Sequence, residues 1–114
     1  QLHRAKPFLI DFYMFRIQQN YLGIVTERGF RLPDGYLEFT KAKDDLKSAF
    51  EKTDTGKVPC NNDLLPANFI DDGEKIWLID YEYSGNNDPC FELGNIWSES
   101  GQDISVLNDL IVGS

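Results

Sequence analysis

Hydrophobic positions in the first half of the chain predict two helices. Large apolar side chains are dense over residues 7–28 and cover more than one helical face, so we expect a helix there that is buried on several sides. Pro7 suits the first turn of this helix, and Gly29 suits its C-terminal cap. Apolar residues at three- and four-residue steps then predict a second helix over 34–52, with Asp34 as its N-terminal cap.

The pattern changes at Val58, where short apolar runs replace the helical spacing. Asn68–Asp71 and Lys75–Asp80 are typical of two short strands, and Asp72-Gly73 between them is a strong signal for a tight turn. We therefore expect an antiparallel hairpin. Asp71–Glu74 lacks the alternating oxygen ligands of a calcium loop, so a solvated turn is the better interpretation.

The remainder of the chain is predicted to be a polar loop followed by helices. Ser84–Pro89 is rich in turn-forming residues, and the helical segments lie around Phe91–Ser98 and Ile104–Val112. The order helix, helix, loop, hairpin, helix predicts the α+β fold class.

Charge and composition narrow the range of partners. The 114 residues carry a formal net charge of −8, with 19 acidic and 11 basic side chains, which disfavours a nucleic-acid partner because phosphates require a basic surface. A cationic ligand or a metal ion is more compatible with this negative charge. No apolar run approaches the ~20 residues of a membrane-spanning helix, so no membrane contact is expected.

The two cysteines, Cys60 and Cys90, indicate a reducing, cytoplasmic setting rather than a disulfide scaffold. Neither has metal-ligand spacing or a histidine close in sequence, since His3 is the single histidine. We expect buried, inert thiols.

Three polar residues around the predicted hairpin are candidates for chemistry. Asp63 and Asn68 lie five residues apart before the first strand, and Asp80 ends the second strand. The tight turn would bring all three together, and oxygen ligands of this kind suit Mg²⁺. The plain alternative is a set of turn and cap residues, since Asn and Asp are common in loops.

These residues also carry a family resemblance. Asn61-Asn62-Asp63, with Asn68 and then Ile79-Asp80-Tyr81-Glu82-Tyr83, resembles the catalytic core of the choline/ethanolamine kinase and aminoglycoside phosphotransferase group, which has a protein-kinase-like fold. That family's loop has the pattern His-x-Asp-x-x-x-x-Asn, and its following strand ends Ile-Asp-Phe/Tyr-Glu-Tyr. Downstream, Phe91–Glu99 resembles the choline kinases' Phe-Asp-Ile-Gly-Asn segment, which ends in a Glu.

The resemblance implies a role for each loop residue. Asp63 would be the catalytic base toward the substrate hydroxyl, and Asn68 and Asp80 would hold the Mg²⁺ ions that bridge the phosphates of ATP. Asn61 stands where the family has a histidine, which organises the loop, and an amide could replace it through hydrogen bonds.

The resemblance also implies a substrate site. Glu82 and Glu99 match acidic positions near the alcohol substrate, and Tyr83 and Trp97 are candidates to cover a cationic ammonium with aromatic faces. A solvated or paired role for the two glutamates, and a packing role for the aromatic residues, are the alternatives.

The resemblance spans nearly the whole chain but only the middle of a family member, part of its C-terminal lobe. It implies an ATP- and Mg²⁺-dependent phosphotransferase for a small amino alcohol, with choline, ethanolamine, an aminoglycoside or another alcohol left open. Since neither a Gly-rich phosphate loop nor a strand lysine precedes residues 58–83, we expect this fragment alone to be inactive. The alternative is a non-catalytic kinase-like binding module. Exposed apolar helix faces would favour self-association.

Overall fold

The computed structural model describes residues 1–53 and 56–113. The chain forms two compact units, one comprising Tyr13–Thr55 and the other combining Gln1–Phe12 with Gly56–Ser114. Helices and short antiparallel strands occur together, so the predicted α+β class is confirmed. No helix within the described ranges is both long and apolar enough to cross a bilayer.

The smaller unit contains two helices, α1 (Met14–Glu27) and α2 (Thr40–Lys52). The prediction of Gly29 as the cap of α1 is confirmed: Gly29 has φ +67°, and the amides of Gly29 and Phe30 donate to the carbonyls of Thr26 and Val25. This is the pattern of a Schellman motif, which satisfies carbonyls at the end of a helix.

The predicted helix start at Pro7 is wrong, because α1 begins at Met14. Residues 8–12 instead run alongside Asn86. The Asn86 side chain accepts from the Phe8 amide at 2.9 Å and donates to the carbonyls of Phe8 and Ile10, while its backbone pairs with Ile10 and Phe12. Backbone groups that a helix would pair internally therefore bond to a distant residue.

The predicted burial of α1 on several sides is also wrong, since none of its residues is buried. A T-shaped contact joins Phe15 of α1 to Phe50 of α2, with ring centroids 6.0 Å apart. Met14 and Tyr21 of this helix are 40% and 60% exposed. Self-association through such faces stays a prediction.

The second helix also differs from its prediction at its start. A 3₁₀ turn occupies Tyr36–Phe39, and α2 follows directly from Thr40. Asp34 does not cap either element. Its carboxylate accepts instead from the Arg31 guanidinium, at 2.9 Å.

The larger unit contains two two-stranded antiparallel sheets. The predicted hairpin is confirmed as β2 (Phe69–Asp71) and β3 (Ile76–Leu78), with Ile70 opposite Trp77. The second sheet pairs β1 (Val58–Cys60) with β4 (Gly85–Asn87), which lies inside the predicted polar loop. The expectation of a loop there is wrong, because β4 pairs with a strand that lies far earlier in the chain, in the register Cys60 to Gly85 and Val58 to Asn87.

Close packing explains the glycine at the end of this sheet. A Cβ atom on Gly85 would lie 3.0 Å from the Phe12 amide nitrogen and 3.3 Å from the Ile10 carbonyl oxygen. Only a residue without a side chain lets the N-terminal segment approach β4 so closely.

Two helices complete this unit, α3 (Pro89–Ser100) and α4 (Ile104–Gly113), near the predicted positions. Asp88 caps α3 by accepting from the Cys90 amide at 2.8 Å. The centre of the unit is mostly polar: among the described residues, the buried apolar side chains are Cys60 and Leu64, and the buried polar ones are Asn61, Asn62, Asn68, Asn87 and Glu92.

The hairpin turn provides a test of the structure by pH. The indole N–H of Trp77 donates to Asp72 at 2.6 Å, and the amides of Lys75 and Glu74 donate to the other Asp72 oxygen. These bonds, with that from Trp77 largest, hold the pKa of Asp72 below its ordinary value. We expect the carboxylate to stabilise the hairpin fully above pH of about 3.9 and to lose this contribution as the pH falls through the lower folded-state pKa.

The measurement is the ¹H–¹⁵N resonance of the Trp77 indole during an acid titration. Its shift should have a midpoint below about 3.9. The Asp72→Asn variant, which keeps the shape and removes the charge, should show no such titration. A midpoint at or above the ordinary value would contradict the assigned contacts.

Candidate active site

The loop between β1 and β2 is held in place by side chains bonded to its backbone. The side-chain oxygen of Asn61 accepts from the Asp63 amide at 3.0 Å, and that of Asn95, on α3, accepts from the Leu64 amide at 2.7 Å. A 3₁₀ turn at Pro66–Asn68 then leads into β2. Because loop amides have no strand partner, each such bond satisfies a group that burial would otherwise leave unpaired.

Asn61 connects this loop to the end of the hairpin. Its side chain is fully buried, and its nitrogen donates to the Asp80 carbonyl at 2.9 Å and to the Ile79 carbonyl at 3.4 Å. A single carboxamide therefore joins the backbone of Asp63 to that of Asp80. Asp80 has φ +60°, a left-handed conformation that Asp adopts more readily than most side chains.

Asn62 was not among the predicted site residues, yet it has φ +66° and is buried. Its nitrogen donates to the Tyr83 carbonyl at 2.9 Å, and its oxygen accepts from the Asn87 side chain at 2.9 Å. It therefore ties the loop to β4 and to the segment after Asp80. The left-handed tolerance of asparagine is the one local signal that could have singled it out.

Carboxylates converge where the loop meets the end of the hairpin. One oxygen each from Asp63, Asp80 and Glu82 lies within 4.8 Å of the others. Asn68 adjoins this group, since its nitrogen donates to the Asp63 carbonyl at 2.8 Å and lies 3.4 Å from an Asp63 carboxylate oxygen. The hairpin brings these residues together, because the Ile79 amide donates to the Asn68 carbonyl.

Other sequence-predicted site residues lie outside this carboxylate group. Glu99 is exposed on α3 and is not one of the clustered acids among the described residues. Trp97 is half-buried, and its indole donates to the Asp103 carbonyl at 3.1 Å. The Tyr83 side chain is exposed, while its backbone carbonyl accepts from Asn62.

Glu92 is the main residue of this region that sequence reasoning missed. It is 4% exposed, and its Oε1 accepts from the Asn61 amide at 2.5 Å and from the Asn62 amide at 3.2 Å. Its Oε2 lies 2.5 Å from Nε2 of His3. Glu92 and Asn95 lie three residues apart and so share a helix face. This pair of polar residues within a largely apolar helix was the sequence signal that could have indicated a buried polar contact.

His3, Cys60 and Glu92 also lie close enough together to resemble a metal site, with ligand atoms within 4.8 Å of one another. Their hydrogen bonds argue for a different role. Both Glu92 oxygens already have partners, and a metal-binding cysteine must be a thiolate. Burial, and then the Glu92 carboxylate, raise the pKa of Cys60 to about 12.

Several comparisons place the chain among known proteins. The sequence profile described as choline/ethanolamine kinase matches residues 14–109. Ethanolamine kinase 2 of Mus musculus is 43% identical over 56 residues, which cover 47% of this chain and 14% of that protein. The profile match over residues 14–109 extends well beyond the loop and the hairpin.

Two solved structures share the fold. A choline/ethanolamine kinase family protein from Mesorhizobium loti is 31% identical with a TM-score of 0.85, covering 96% of this chain and 38% of that one. Choline kinase LicA from Streptococcus pneumoniae is 25% identical with a TM-score of 0.82, covering 97% of this chain and 40% of that one.

The fold and loop define a kinase-like phosphotransferase architecture. The chain belongs to the choline/ethanolamine kinase family, which confirms the predicted resemblance. It spans about two fifths of the length of these structural neighbours.

Thiol reactivity tests the buried network around Cys60. Both cysteines are free; Cys60 is buried, whereas Cys90 is exposed, so the expectation that both are buried is wrong for Cys90. We expect the native chain at pH 8 to react with an aromatic disulfide reagent at one thiol, and at both after unfolding in guanidinium, because only exposed thiolate reacts.

Two variants assign the reactive thiol. Cys90→Ser should abolish the reaction of the native chain, whereas Cys60→Ser should leave it unchanged. Partial desolvation and the nearby Asp88 carboxylate raise the pKa of Cys90, so its reaction should be slower than that of a free thiol. Rapid labelling of Cys60 in the native chain would contradict its burial.

Proposed function

We propose that this chain carries the catalytic loop of an ATP- and Mg²⁺-dependent kinase that transfers the γ-phosphate to the hydroxyl of a small amino alcohol. The observation that carries the proposal is the convergence of Asp63, Asp80 and Glu82 within 4.8 Å, at a loop with the family's spacing. Family membership supports the reaction class, and two free thiols fit a cytoplasmic location.

Asp63 is the proposed base. Its side chain is half-buried, and its backbone is held on both sides, by Asn61 at the amide and by Asn68 at the carbonyl. A carboxylate fixed in this way can accept a hydrogen bond from the substrate hydroxyl and orient its oxygen for attack on the phosphorus. The proton of the hydroxyl then passes to Asp63 as the new P–O bond forms and ADP leaves.

The residues at this site fit a magnesium ion. The available donors are carboxylate and amide oxygens, which Mg²⁺ prefers over nitrogen or sulfur. Asp80 and Asn68 are the proposed ligands, since the Asn68 nitrogen faces Asp63 and leaves the amide oxygen to coordinate. When bound, the ion would neutralise charge on the phosphate oxygens.

Glu82 is the proposed partner of the substrate cation. Its carboxylate lies within 4.8 Å of that of Asp63, so one short molecule could present a cation to Glu82 and a hydroxyl to Asp63. Choline and ethanolamine, in which two carbons separate these groups, suit this spacing better than a large aminoglycoside. Glu99, Tyr83 and Trp97 are proposed to complete the substrate site, with the aromatic faces contacting the cation.

Asn61 is proposed to organise the loop in place of the family's histidine. The support is its burial and its hydrogen bonds to both Asp63 and Asp80. The replacement of the family's histidine by Asn61 is also the feature that favours a non-catalytic binding module. Measurements of kinase activity therefore decide between the catalytic and the non-catalytic function.

The first test replaces Asp63 in the protein that carries this chain. We expect Asp63→Asn and Asp63→Ala to lower kcat for phosphorylation of choline or ethanolamine by about 10²–10⁴-fold, the usual contribution of a positioned base. Nucleotide affinity should change little. The matched control Asp109→Asn alters an exposed carboxylate of α4 and should retain the unmodified rate. Equal turnover in the Asp63 variants would remove it from the base role.

The second test addresses the 114 residues alone. The chain spans about two fifths of its structural neighbours, so we expect it to lack part of the surface that binds the nucleotide. Isothermal titration with Mg-ATP should detect no tight binding, and phosphate transfer should be negligible. Tight binding by these residues alone would contradict this expectation.

A further inference from the structure

We propose that Asn86 is a positioning residue for the substrate cation, and that it acts on Glu82 by fastening the N-terminal segment to β4. This inference rests on the proposed function for its kinetic consequences, whereas the contacts that carry it can be tested without activity. Asn86 lies outside the carboxylate group of Asp63, Asp80 and Glu82.

The first step is the short turn that carries Glu82. Residues 81–84 form a β-turn in which the Ser84 amide donates to the Tyr81 carbonyl at 3.0 Å, and Glu82 is one of its two central residues. Strand β4 begins at the next residue, Gly85. The Glu82 side chain is exposed, so the backbone of this turn is what places its carboxylate. A shift of β4 therefore moves Glu82 with it.

The second step is the attachment of β4 to residues 8–12, which we call the N-terminal strap. The Asn86 backbone pairs in parallel with the strap: its amide donates to the Ile10 carbonyl and its carbonyl accepts from the Phe12 amide, both at 2.9 Å. Its side chain extends this pairing, because Oδ1 accepts from the Phe8 amide and Nδ2 donates to the Phe8 carbonyl, both at 2.9 Å. One carboxamide thus supplies the donor and the acceptor that a further strand residue would otherwise provide.

The third step is the close fit of the strap on both sides of this contact. The Asn86 Nδ2 atom also lies 3.1 Å from the Asp11 carboxylate, whose other oxygen accepts from the Lys57 ammonium at 2.6 Å. Lys57 directly precedes β1, so the strap is tied to both strands of the sheet. On the other side, a Cβ atom on Gly85 would lie 3.0 Å from the Phe12 amide nitrogen and 3.1 Å from the Phe12 Cβ atom. The strap therefore has a single close-packed position against β4.

The fourth step separates this attachment from the reacting groups. Asp63 is held by its own bonds to Asn61 and Asn68, which belong to the loop rather than to β4. The ammonium group of choline keeps its charge while the hydroxyl reacts, so a contact with Glu82 stabilises the bound substrate and the transition state about equally. Loss of the strap contact should therefore raise KM and leave kcat nearly unchanged.

The kinetic experiment uses the protein that carries this chain, with choline as the acceptor. Asn86→Ala removes the side-chain bonds to the strap and keeps the backbone pairing, and we expect it to raise KM about tenfold and to change kcat less than about threefold. Gly85→Ala acts on the strap from the other side without altering Asn86, and it should change KM in the same direction. The matched control Asn108→Ala, at an exposed position of α4, should leave both constants unchanged.

An uncharged substrate isolates the role of the cation. The alcohol 3,3-dimethylbutanol has the shape of choline with a carbon atom in place of the quaternary nitrogen, so Glu82 has no charge to recognise in it. We expect Asn86→Ala to change KM for this alcohol less than about twofold, so that the preference for choline over it falls about tenfold. A general loss of structure would instead weaken the binding of both substrates equally.

A second measurement is independent of turnover. Hydrogen exchange followed by ¹H–¹⁵N NMR should show protected amides at Phe8 and Ser84 in the wild-type protein. Asn86→Ala should speed exchange at both amides by at least about fivefold, at Phe8 because its acceptor is removed and at Ser84 because the turn is held less firmly. The amides of β2 and β3 serve as an internal reference for global stability, and they should keep their wild-type protection.

The outcomes are distinguishable. A wild-type protein without transfer activity, but with the expected exchange at Phe8 and Ser84, would overturn the proposed function and leave the attachment supported. A normal KM for choline in folded Asn86→Ala, or an equal rise in KM for choline and the uncharged alcohol, would overturn the positioning role. Unchanged exchange at Ser84 in that variant would show that the strap does not hold the turn, and would overturn the inference.

Gly85→Ala decides the question if Asn86→Ala does not fold. A reduced preference for choline over the uncharged alcohol in Gly85→Ala would support the positioning role of the strap contact. An unchanged preference would overturn it.

Discussion

A buried carboxylate hydrogen-bonded to a loop backbone is the constraint on which the larger unit depends. Glu92 cannot stay buried and charged unless donors reach it, and those donors come from the loop amides and from His3. Helix α3, the loop and the N-terminal segment must therefore stay together. Leaving a buried amide without its acceptor costs about 1–3 kcal/mol, so loss of this carboxylate would affect both loop amides at once.

Asparagines extend this constraint across the unit. Asn61 joins the loop to the hairpin, Asn62 joins it to β4, and Asn86 binds the backbone of the segment before α1. Carboxamides suit this task because each one can both donate and accept. When all of its hydrogen bonds are made, a buried polar network of this kind specifies a single loop geometry. When some are missing, the unpaired polar groups destabilise the fold.

Local patterns were enough for part of the fold. The Gly29 cap and the hairpin with its Asp72-Gly73 turn depend on nearby residues, so their signals lie within a few positions. The closeness of Asp63, Asn68 and Asp80 also follows from a short hairpin. The start of α1 was misjudged, because apolar density over residues 7–13 does not reveal that Asn86 binds their backbone.

The linear pattern of residues was sufficient to identify the family, the fold class and the loop, because motif spacing and turn chemistry are local properties. It could not reveal the pairing of β1 with β4, the burial of Glu92 or its contact with His3. These contacts join residues up to 89 positions apart. In the sequence, an acidic residue in the first turn of a helix has the same pattern whether its side chain is solvated or buried against a loop. Tertiary packing decided that difference, because burial is what turns a common helix-start glutamate into the anchor of the loop.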